Sequence, residues 1–369
     1  MTGAVRLALI GATGHGGWHL RNIAELQARG RVELVGLCDV RDVPGAPEGV
    51  PLFREHAALL EAVKPEVVVV CTPPHTHLRI ASDVAWSGAD LLLEKPPVRD
   101  VAEHDALRHV LAQTGRACQI GFQALGSAAL TRLRGAIDAG ALGTVTGIAV
   151  RGSWFREEAY FHRAAWVGRR SVDGELTLDG ALANPFAHAV MQLLAIADAP
   201  LRSARVERYR TRDIEVDDTA CVRLRFDSEV DGFIAVTLCG EEFVPGDITV
   251  TGSGGTAVLE YPTDRLRLPG EADLTHGPGR VGLLDNLLDH RADPTVPLLV
   301  PLARTLPFTA LLAPILAAPP ALIPPEYLST HHDLATPRLS ITGINAAIDE
   351  AANRMALFSE LPLPWARSG

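Results

Sequence analysis

Lysine is almost absent from this chain: of 34 basic side chains only Lys64 and Lys95 are lysines, and the rest are arginines. Chemistry that needs a titratable amine therefore has two candidates. Cysteine is scarce too. The five cysteines, at 38, 71, 118, 221 and 239, include no C-x-x-C pair, which argues against a disulfide scaffold or a thiolate zinc site and suits reduced, buried thiols in a cytoplasmic protein. Long apolar runs are missing. The stretch 311–325 is broken by five prolines and falls short of the ~20 residues of a spanning helix. The run Leu7–Ile10 stops at Gly11, too short for a signal-peptide core. No membrane association is expected, and a cytoplasmic location is. Finally, there is no basic surplus: the formal charge is −10, which counts against a nucleic-acid partner.

What is present is a globular composition, 47% hydrophobic and 21% charged over 369 residues, enough for two domains at roughly 150 residues each. The first ~120 residues alternate strand and helix. Apolar runs at 5–10, 32–38, 67–71, 91–93 and 118–122 read as strands, and 18–29, 57–63, 77–86 and 101–113 as helices. Repeated β-α-β units with glycine at strand ends predict an α/β fold with a doubly wound parallel sheet. The pattern then changes. After a helix at 127–139, strand-like runs at 145–153, 205–210, 220–226, 232–238, 248–251 and 256–261 are joined in several places by short turns. They predict a largely antiparallel sheet, with a helix near 182–197 ahead of most of its strands and further helices near 306–316 and 341–358. The boundary falls at Phe122–Gln123, giving domains 1–122 and 123–369.

The first strand runs directly into a glycine loop, Gly11, Ala12, Thr13, Gly14, His15, Gly16, Gly17. Glycines there let the backbone turn tightly and let a pyrophosphate approach the N–H groups that open a helix. The spacing fits GxxGxG ending on Gly16 and equally GxxGxxG ending on Gly17. Asp39 closes the second strand, where a carboxylate accepts hydrogen bonds from ribose hydroxyls and repels a 2′-phosphate. That favours NAD, while Arg41, two residues on, leaves NADP open.

Lys95 lies at the carboxyl end of an apolar strand, Leu91, Leu92, Leu93, followed by Glu94, Lys95, Pro96. Ligands of doubly wound sheets bind at that end. A partly buried lysine there suits acid–base work, and a salt bridge to Glu94 is the plainer alternative. The Tyr-x-x-x-Lys pair of short-chain dehydrogenases is excluded, because Leu60 and Leu91 stand four residues before the two lysines.

With these residues in view, the chain resembles the Gfo/Idh/MocA oxidoreductases. The resemblance rests on Glu94–Lys95–Pro96, on Thr72–Pro73–Pro74–His75–Thr76–His77, on Ile120–Gly121–Phe122–Gln123 and on the glycine loop followed by His19. It implies an NAD(P)-binding Rossmann domain, then an α/β domain whose large, mostly antiparallel sheet carries the substrate pocket and commonly the interface of a homodimer or homotetramer. It also implies that Thr72, Pro73, His77, Glu94 and Gln123 lie at the cofactor, and that Lys95 touches both cofactor and substrate hydroxyl. The family's Asp-x-x-x-His pair matches Asn184 and His188 here. Asparagine orients a substrate but takes no proton, so acid–base work falls on Lys95 and His188. The plainer alternative makes Asn184 a helix cap and His188 a core histidine.

An aromatic–basic patch follows, Arg151, Trp154, Arg156, Tyr160, His162, Arg163 and Trp166. The resemblance places this region near the substrate mouth, where Arg151, Trp154, Arg156 and Trp166 suit a hydroxylated or anionic small molecule; interface packing is the alternative. His75 and His77 have no carboxylate cluster beside them, and no metal is expected. The expected activity is hydride transfer between a nicotinamide and a secondary hydroxyl of a sugar, cyclitol or related polyol. The alternatives are a nucleotide-binding sensor or regulatory protein, and an enzyme that holds NAD for a non-redox net reaction such as glycoside cleavage.

Overall fold

The computed structural model describes residues 3–366; residues 1, 2 and 367–369, at the outer ends of the two expected domains, lie outside the described residues. By packing, the chain forms two compact units. One holds the residues through Phe122 together with Gly282–Thr309, and the other holds Gln123–Val281 and the residues from Ala310 onward.

The first unit opens with β1 (Val5–Ile10), α1 (Gly16–Ala28), β2 (Val32–Cys38), β3 (Leu52–Phe53), α2 (His56–Val63), β4 (Val67–Val70), α3 (His77–Trp86), β5 (Asp90–Leu93), α4 (Val101–Thr114) and β6 (Cys118–Ile120). The strands form a parallel sheet in the order β3-β2-β1-β4-β5-β6. Val67–Val70 and Leu91–Leu93 are buried throughout, as uninterrupted apolar strands are when helices cover both faces. Strand order reverses between β1 and β4. The loops leaving β1, β4 and β5 carry the glycine loop, the Thr-Pro loop and Lys95 to one end of the sheet, the place where such sheets bind ligands.

The second unit begins with α5 (Ala128–Asp138), whose cap Ser127 accepts the Leu130 N–H at 3.2 Å. Then come β7 (Val145–Phe155), α6 (Glu158–His162), the short hairpin β8 (Ser171–Val172) and β9 (Glu175–Leu176), and α7 (Ala187–Ala197). The strands β10 (Leu201–Arg210), β11 (Thr219–Phe226), β12 (Asp231–Thr237), β13 (Cys239–Gly252), β14 (Gly255–Glu260), β15 (Arg265–Arg267) and β16 (Thr275–His276) follow.

Between the two parts of the second unit runs α8 (Leu283–Ala292), on the segment that returns to the first. After it come α9 (Leu306–Leu316), β17 (Ala321–Leu322), a hairpin of β18 (Leu328–His331) and β19 (Arg338–Ile341), and α10 (Ile344–Arg354). The large sheet has nine strands, β16-β15-β14-β13-β7-β12-β11-β10-β17. It is mostly antiparallel, with β7–β12 and β10–β17 parallel. One face packs on α10, through Ala149, Phe233 and Ala235 against Ile344, Ala347 and Ile348. The other receives α7, whose Phe186 cap stacks near Trp154. Among the described residues no helix is long and apolar enough to cross a membrane. All five cysteines are free, and Cys71 alone is not fully buried.

Two expectations need correction. The second domain does not run unbroken from 123 to 369, because Gly282–Thr309 packs on the parallel sheet. Leu283, Leu284, Leu287 and Leu288 of α8 are buried. Gln119 donates to Asn286 at 2.6 Å, Arg291 pairs with Asp90 and Glu66 at 2.6 and 2.8 Å, and the Ile120 N–H donates to the Val300 carbonyl at 2.9 Å along the open edge of β6. The helix expected from 182 begins only at Ala187. Pro185 supplies no N–H and disfavours helical backbone at the residue before it, so Asn184 lies in a turn ahead of the helix and does not cap it.

Candidate active site

Backbone contact decides which glycines the loop requires. A Cβ on Gly16 would stand 1.9 Å from the Gly11 carbonyl oxygen, and one on Gly11 2.4 Å from that of Cys71. Around Gly17 and Gly14 there is open space. The motif is therefore Gly11, Gly14, Gly16, with Gly17 merely the second residue of α1. No side chain caps α1, and the space over Gly14 is clear, so the loop and helix start fit a pyrophosphate. Asp39 is buried beside it and accepts the Thr13 N–H and hydroxyl, both at 2.9 Å, and the Arg41 N–H at 2.9 Å. Burial works to raise the Asp39 pKa, but these donors and the Arg41 charge outweigh it and hold the carboxyl below its usual range. The Arg41 guanidinium reaches the Thr13 hydroxyl and is otherwise exposed. Thr13, Asp39 and Arg41 thus form one cluster, and Ala12 is buried beneath it.

Glu94 is 5% exposed. Its carboxylate lies 2.9 Å from His19 Nε2, 3.6 Å from His15 Nε2, and 3.1 Å from the Lys95 N–H, which donates to it. Burial works to raise its pKa, yet hydrogen bonds and charge from His15 and His19 leave it far below the usual carboxylate range. The carboxylate is thus bound by two histidines. Gly121 exists for the same reason: a Cβ there would fall 2.8 Å from the Glu94 carboxyl. Three donor atoms of His15, His19 and Glu94 lie within 4.8 Å of one another. That set has the chemistry and spacing of a divalent-ion site, where the sequence reading assigned no metal. In this chain the same contacts supply hydrogen bonds to a buried anion. Lys95 follows at the strand end, partly exposed between buried neighbours.

His77 opens α3 as a buried residue. It is 1% exposed, and its ring nitrogens lie 2.8 Å from the Thr72 carbonyl and 2.9 Å from the Pro96 carbonyl. Burial pushes its pKa down. The ring lies between the Thr-Pro loop and the Lys95–Pro96 loop, and the neutral imidazole has one N–H to donate to one of the two carbonyls. Thr72 is partly exposed and Pro73 exposed on that loop, and the Thr76 hydroxyl donates to that of Thr72 at 2.7 Å.

Lys95 belongs to the first unit, and Gln123, Asn184 and His188 to the second. Gln123 opens a single 3₁₀ turn. Helix α7 is buried on every side from Ala189 to Ile196, apolar there except for Gln192, whose amide donates to the Ala124 carbonyl at 2.7 Å, and His188, in its first turn, is partly exposed. Asn184 is also partly exposed. Its amide donates to Asp179 Oδ1 at 3.1 Å, while Asp179 Oδ2 accepts the Gly168 N–H at 2.8 Å. Sequence reasoning missed Asp179. Its signal was slight: an acid directly before Gly180, a residue at φ 110°, five positions ahead of Asn184.

The patch divides by strand parity. Arg151 and Ser153 point from β7 toward α10, and Trp154 points toward α7. Arg151 is consequently taken up by Asp247 at 2.9 Å and Asp349 at 2.6 Å, which overturns its assignment to substrate. Trp154 packs on Phe186 at 4.4 Å between centroids, with the Arg156 guanidinium 4.8 Å from its ring. Trp166 is 40% exposed.

The chain belongs to the GFO/IDH/MocA oxidoreductase family. Residues 5–122 match its NAD-binding Rossmann fold and residues 130–258 its C-terminal domain, together about two thirds of the chain. Among curated proteins, "Glycosyl hydrolase family 109 protein 2" of Akkermansia muciniphila is 30% identical over 132 residues, 32% of this chain and 27% of that protein. The scyllo-inositol 2-dehydrogenase (NAD(+)) of Bacillus subtilis is 27% identical over 142 residues, 38% of this chain and 42% of that one. The match thus spans less than half the length of either relative. Among solved structures, the WlbA dehydrogenase of Bordetella pertussis, in complex with NADH and UDP-GlcNAcA, superposes with a TM-score of 0.72 at 25% identity, over 84% of this chain and 95% of that one.

Proposed function

We propose that this chain is an NAD-dependent oxidoreductase acting on a secondary hydroxyl, or the corresponding carbonyl, of a sugar, cyclitol or related polyol. The observation that carries the reading is Lys95: one of two lysines in the chain, partly exposed at the ligand end of β5, directly after a carboxylate anchored by His19 and His15. Gly11, Ala12, Thr13, Gly14, His15 and Gly16 would hold the pyrophosphate, Asp39 the ribose with Arg41 beside it, and Thr72, Pro73 and Gln123 the nicotinamide side. Bound NAD supplies a hydride acceptor, its nicotinamide C4.

The chain's own residues handle the proton and the alignment. As the C–H bond gives up its hydride, the hydroxyl proton passes to Lys95, with His188 as the second acid–base group and Asn184 orienting the hydroxyl. Glu94 acts through position: held on both sides, it fixes the backbone from which Lys95 extends. Cytoplasmic location and a homodimer or homotetramer form part of the same proposal. NADP is the less favoured cofactor, because the Asp39 carboxylate would repel a 2′-phosphate.

The similarity to a glycosyl hydrolase family 109 protein favours a second reading, in which NAD is retained and the net reaction cleaves a glycoside. Absorbance of the NAD-loaded protein in the reduced-nicotinamide band, with scyllo-inositol, myo-inositol, glucose and UDP-GlcNAcA added in turn, separates the two. Growth of the band supports the oxidoreductase. Sugar release from an aryl glycoside with no net growth supports the second reading. Lys95→Met should bind NAD as wild type does and lose roughly 10²–10⁴-fold in turnover; near-wild-type turnover would remove Lys95 from the mechanism.

A further inference from the structure

We propose that the substrate carries an acidic group, a carboxylate or a phosphate, bound by Arg156 and Arg163 of the second unit; the inference rests on the oxidoreductase reading of that unit and specifies its substrate class. The two guanidiniums alternate with aromatic rings. Arg156 lies 4.8 Å from the Trp154 ring and 5.2 Å from Tyr160. Arg163 lies 3.6 Å from Tyr160 and 5.3 Å from Trp166.

Neither has an acidic partner among the described residues. Arg156 donates to the Phe155 carbonyl at 3.2 Å and Arg163 to the Tyr160 carbonyl at 2.7 Å, which leaves most of the five donors of each fork unspent. In a chain with 44 acids to 34 bases, that is not for want of carboxylates. The nearby ones are committed elsewhere: Glu157 to Thr336 at 2.6 Å, Glu158 to Arg212 at 2.8 Å, and Glu215 to Arg169 at 3.0 Å.

Stacking fixes the plane of a guanidinium and leaves its edge for two parallel hydrogen bonds, the geometry that matches carboxylate or phosphate oxygens. A neutral polyol would make no use of that arrangement. The position also suits a substrate group away from the reacting carbon. Trp154, under Arg156, packs against Phe186, and Phe186 stands midway in sequence between Asn184 and His188. The anion would therefore sit one ring away from the residues assigned to the hydroxyl, with the exposed Trp166 offering an apolar face to the sugar.

The test is calorimetric titration of the full chain, saturated with NADH, with three probes that share one ring: glucose, glucuronate and glucose 6-phosphate. At least one anionic probe is expected to bind ~10-fold or more tightly than glucose, with the advantage shrinking at high salt. Preference for glucuronate assigns a carboxylate, and preference for glucose 6-phosphate a phosphate. The Arg156→Gln/Arg163→Gln variant should lose the advantage while its melting temperature and NADH affinity stay at wild-type values. Arg156→Lys/Arg163→Lys should keep part of it, since charge remains but the fork is gone. Equal binding of the three probes, no measurable binding of either anion, or an undiminished advantage in the glutamine variant overturns the proposal. Since the readout is binding, tight glucuronate binding with no nicotinamide reduction by any polyol would remove the redox reading alone.

Discussion

Asp179 holds Asn184 side chain to side chain, with the amide nitrogen 3.1 Å from one carboxylate oxygen while the other oxygen accepts the Gly168 N–H. The bond turns the amide nitrogen toward Asp179. A carboxylate thus stands beside Asn184, five residues back in the chain at Asp179.

Asn184→Asp alone would set two carboxylates against each other, and one must then hold its proton to a higher pH. A carboxyl whose folded-state pKa is raised removes stability above its unfolded value of about 4, progressively until the folded value is passed. The variant should match wild type near pH 4 and fall about 2 kcal/mol below it by pH 8. Asp179→Asn/Asn184→Asp, with one carboxylate again, should recover that loss. Urea unfolding at both pH values decides it, and a pH-independent single variant would mean that the two groups do not meet.

His19 and His15 both face Glu94, but burial separates their worth. His19 is 1% exposed, and His15 has 56% of its side chain exposed. Removing His19 strips a buried carboxylate of its closest partner and should cost about 3 kcal/mol. His15→Ala should cost less than about 1 kcal/mol. Comparable losses in denaturant melts would contradict the assignment.

The depressed Glu94 pKa carries a pH signature. Its stabilising contribution is complete above the unfolded carboxyl value of about 4.3 and is lost as acid protonates the folded state. Wild type should therefore lose more stability than Glu94→Gln between pH 5 and pH 3. Parallel curves for the two would show that Glu94 is not the group responsible.

Neighbouring glycines should respond oppositely to alanine. Gly16→Ala drives a Cβ into the Gly11 carbonyl and should abolish NAD binding, seen as loss of nucleotide-induced tryptophan quenching. Gly17→Ala meets open space inside a helix and should stabilise the protein by roughly 0.5–1 kcal/mol with binding retained. Equal damage from both would put the motif back on Gly17.

Asp39→Ser takes away the charge that repels a 2′-phosphate and leaves Arg41 beside the site. The ratio of NADP to NAD affinity, by fluorescence titration, should rise ~10-fold or more. An unchanged ratio would shift cofactor choice to another group.

The first unit was legible because its signals are local. Uninterrupted apolar strands such as Val67–Val70 report burial on both faces, and the glycine loop, Asp39 and Lys95 each stand at a strand end. What stayed hidden depended on partners distant in sequence. Arg151 was placed with the substrate residues, although its odd spacing from Trp154 along one strand already puts the two on opposite faces. Asp179 belongs to no motif and becomes significant only through the turn that brings it to Asn184. His77 fits the family pattern, but its burial between two backbone carbonyls is set by loops far apart in sequence. Helix α8 went unassigned although Leu283, Leu284, Leu287 and Leu288 carry a helical period. What no period reveals is which sheet those leucines cover.

That last helix has a consequence for the order in which the protein can be completed. Strand β6 ends the parallel sheet, and its outer edge is closed by Val300 and the Gln119–Asn286 bond. A ribosome finishes β6 at residue 120 and reaches Val300 only 180 residues later, which at the usual ~5–20 residues per second is on the order of 10–40 s. For that interval the nascent sheet carries an unpaired edge, the element most prone to join a strand from another chain. The dinucleotide domain, first in the sequence, is thus among the last parts of the molecule to be sealed, and a fragment cut at Phe122 would keep that vulnerability permanently.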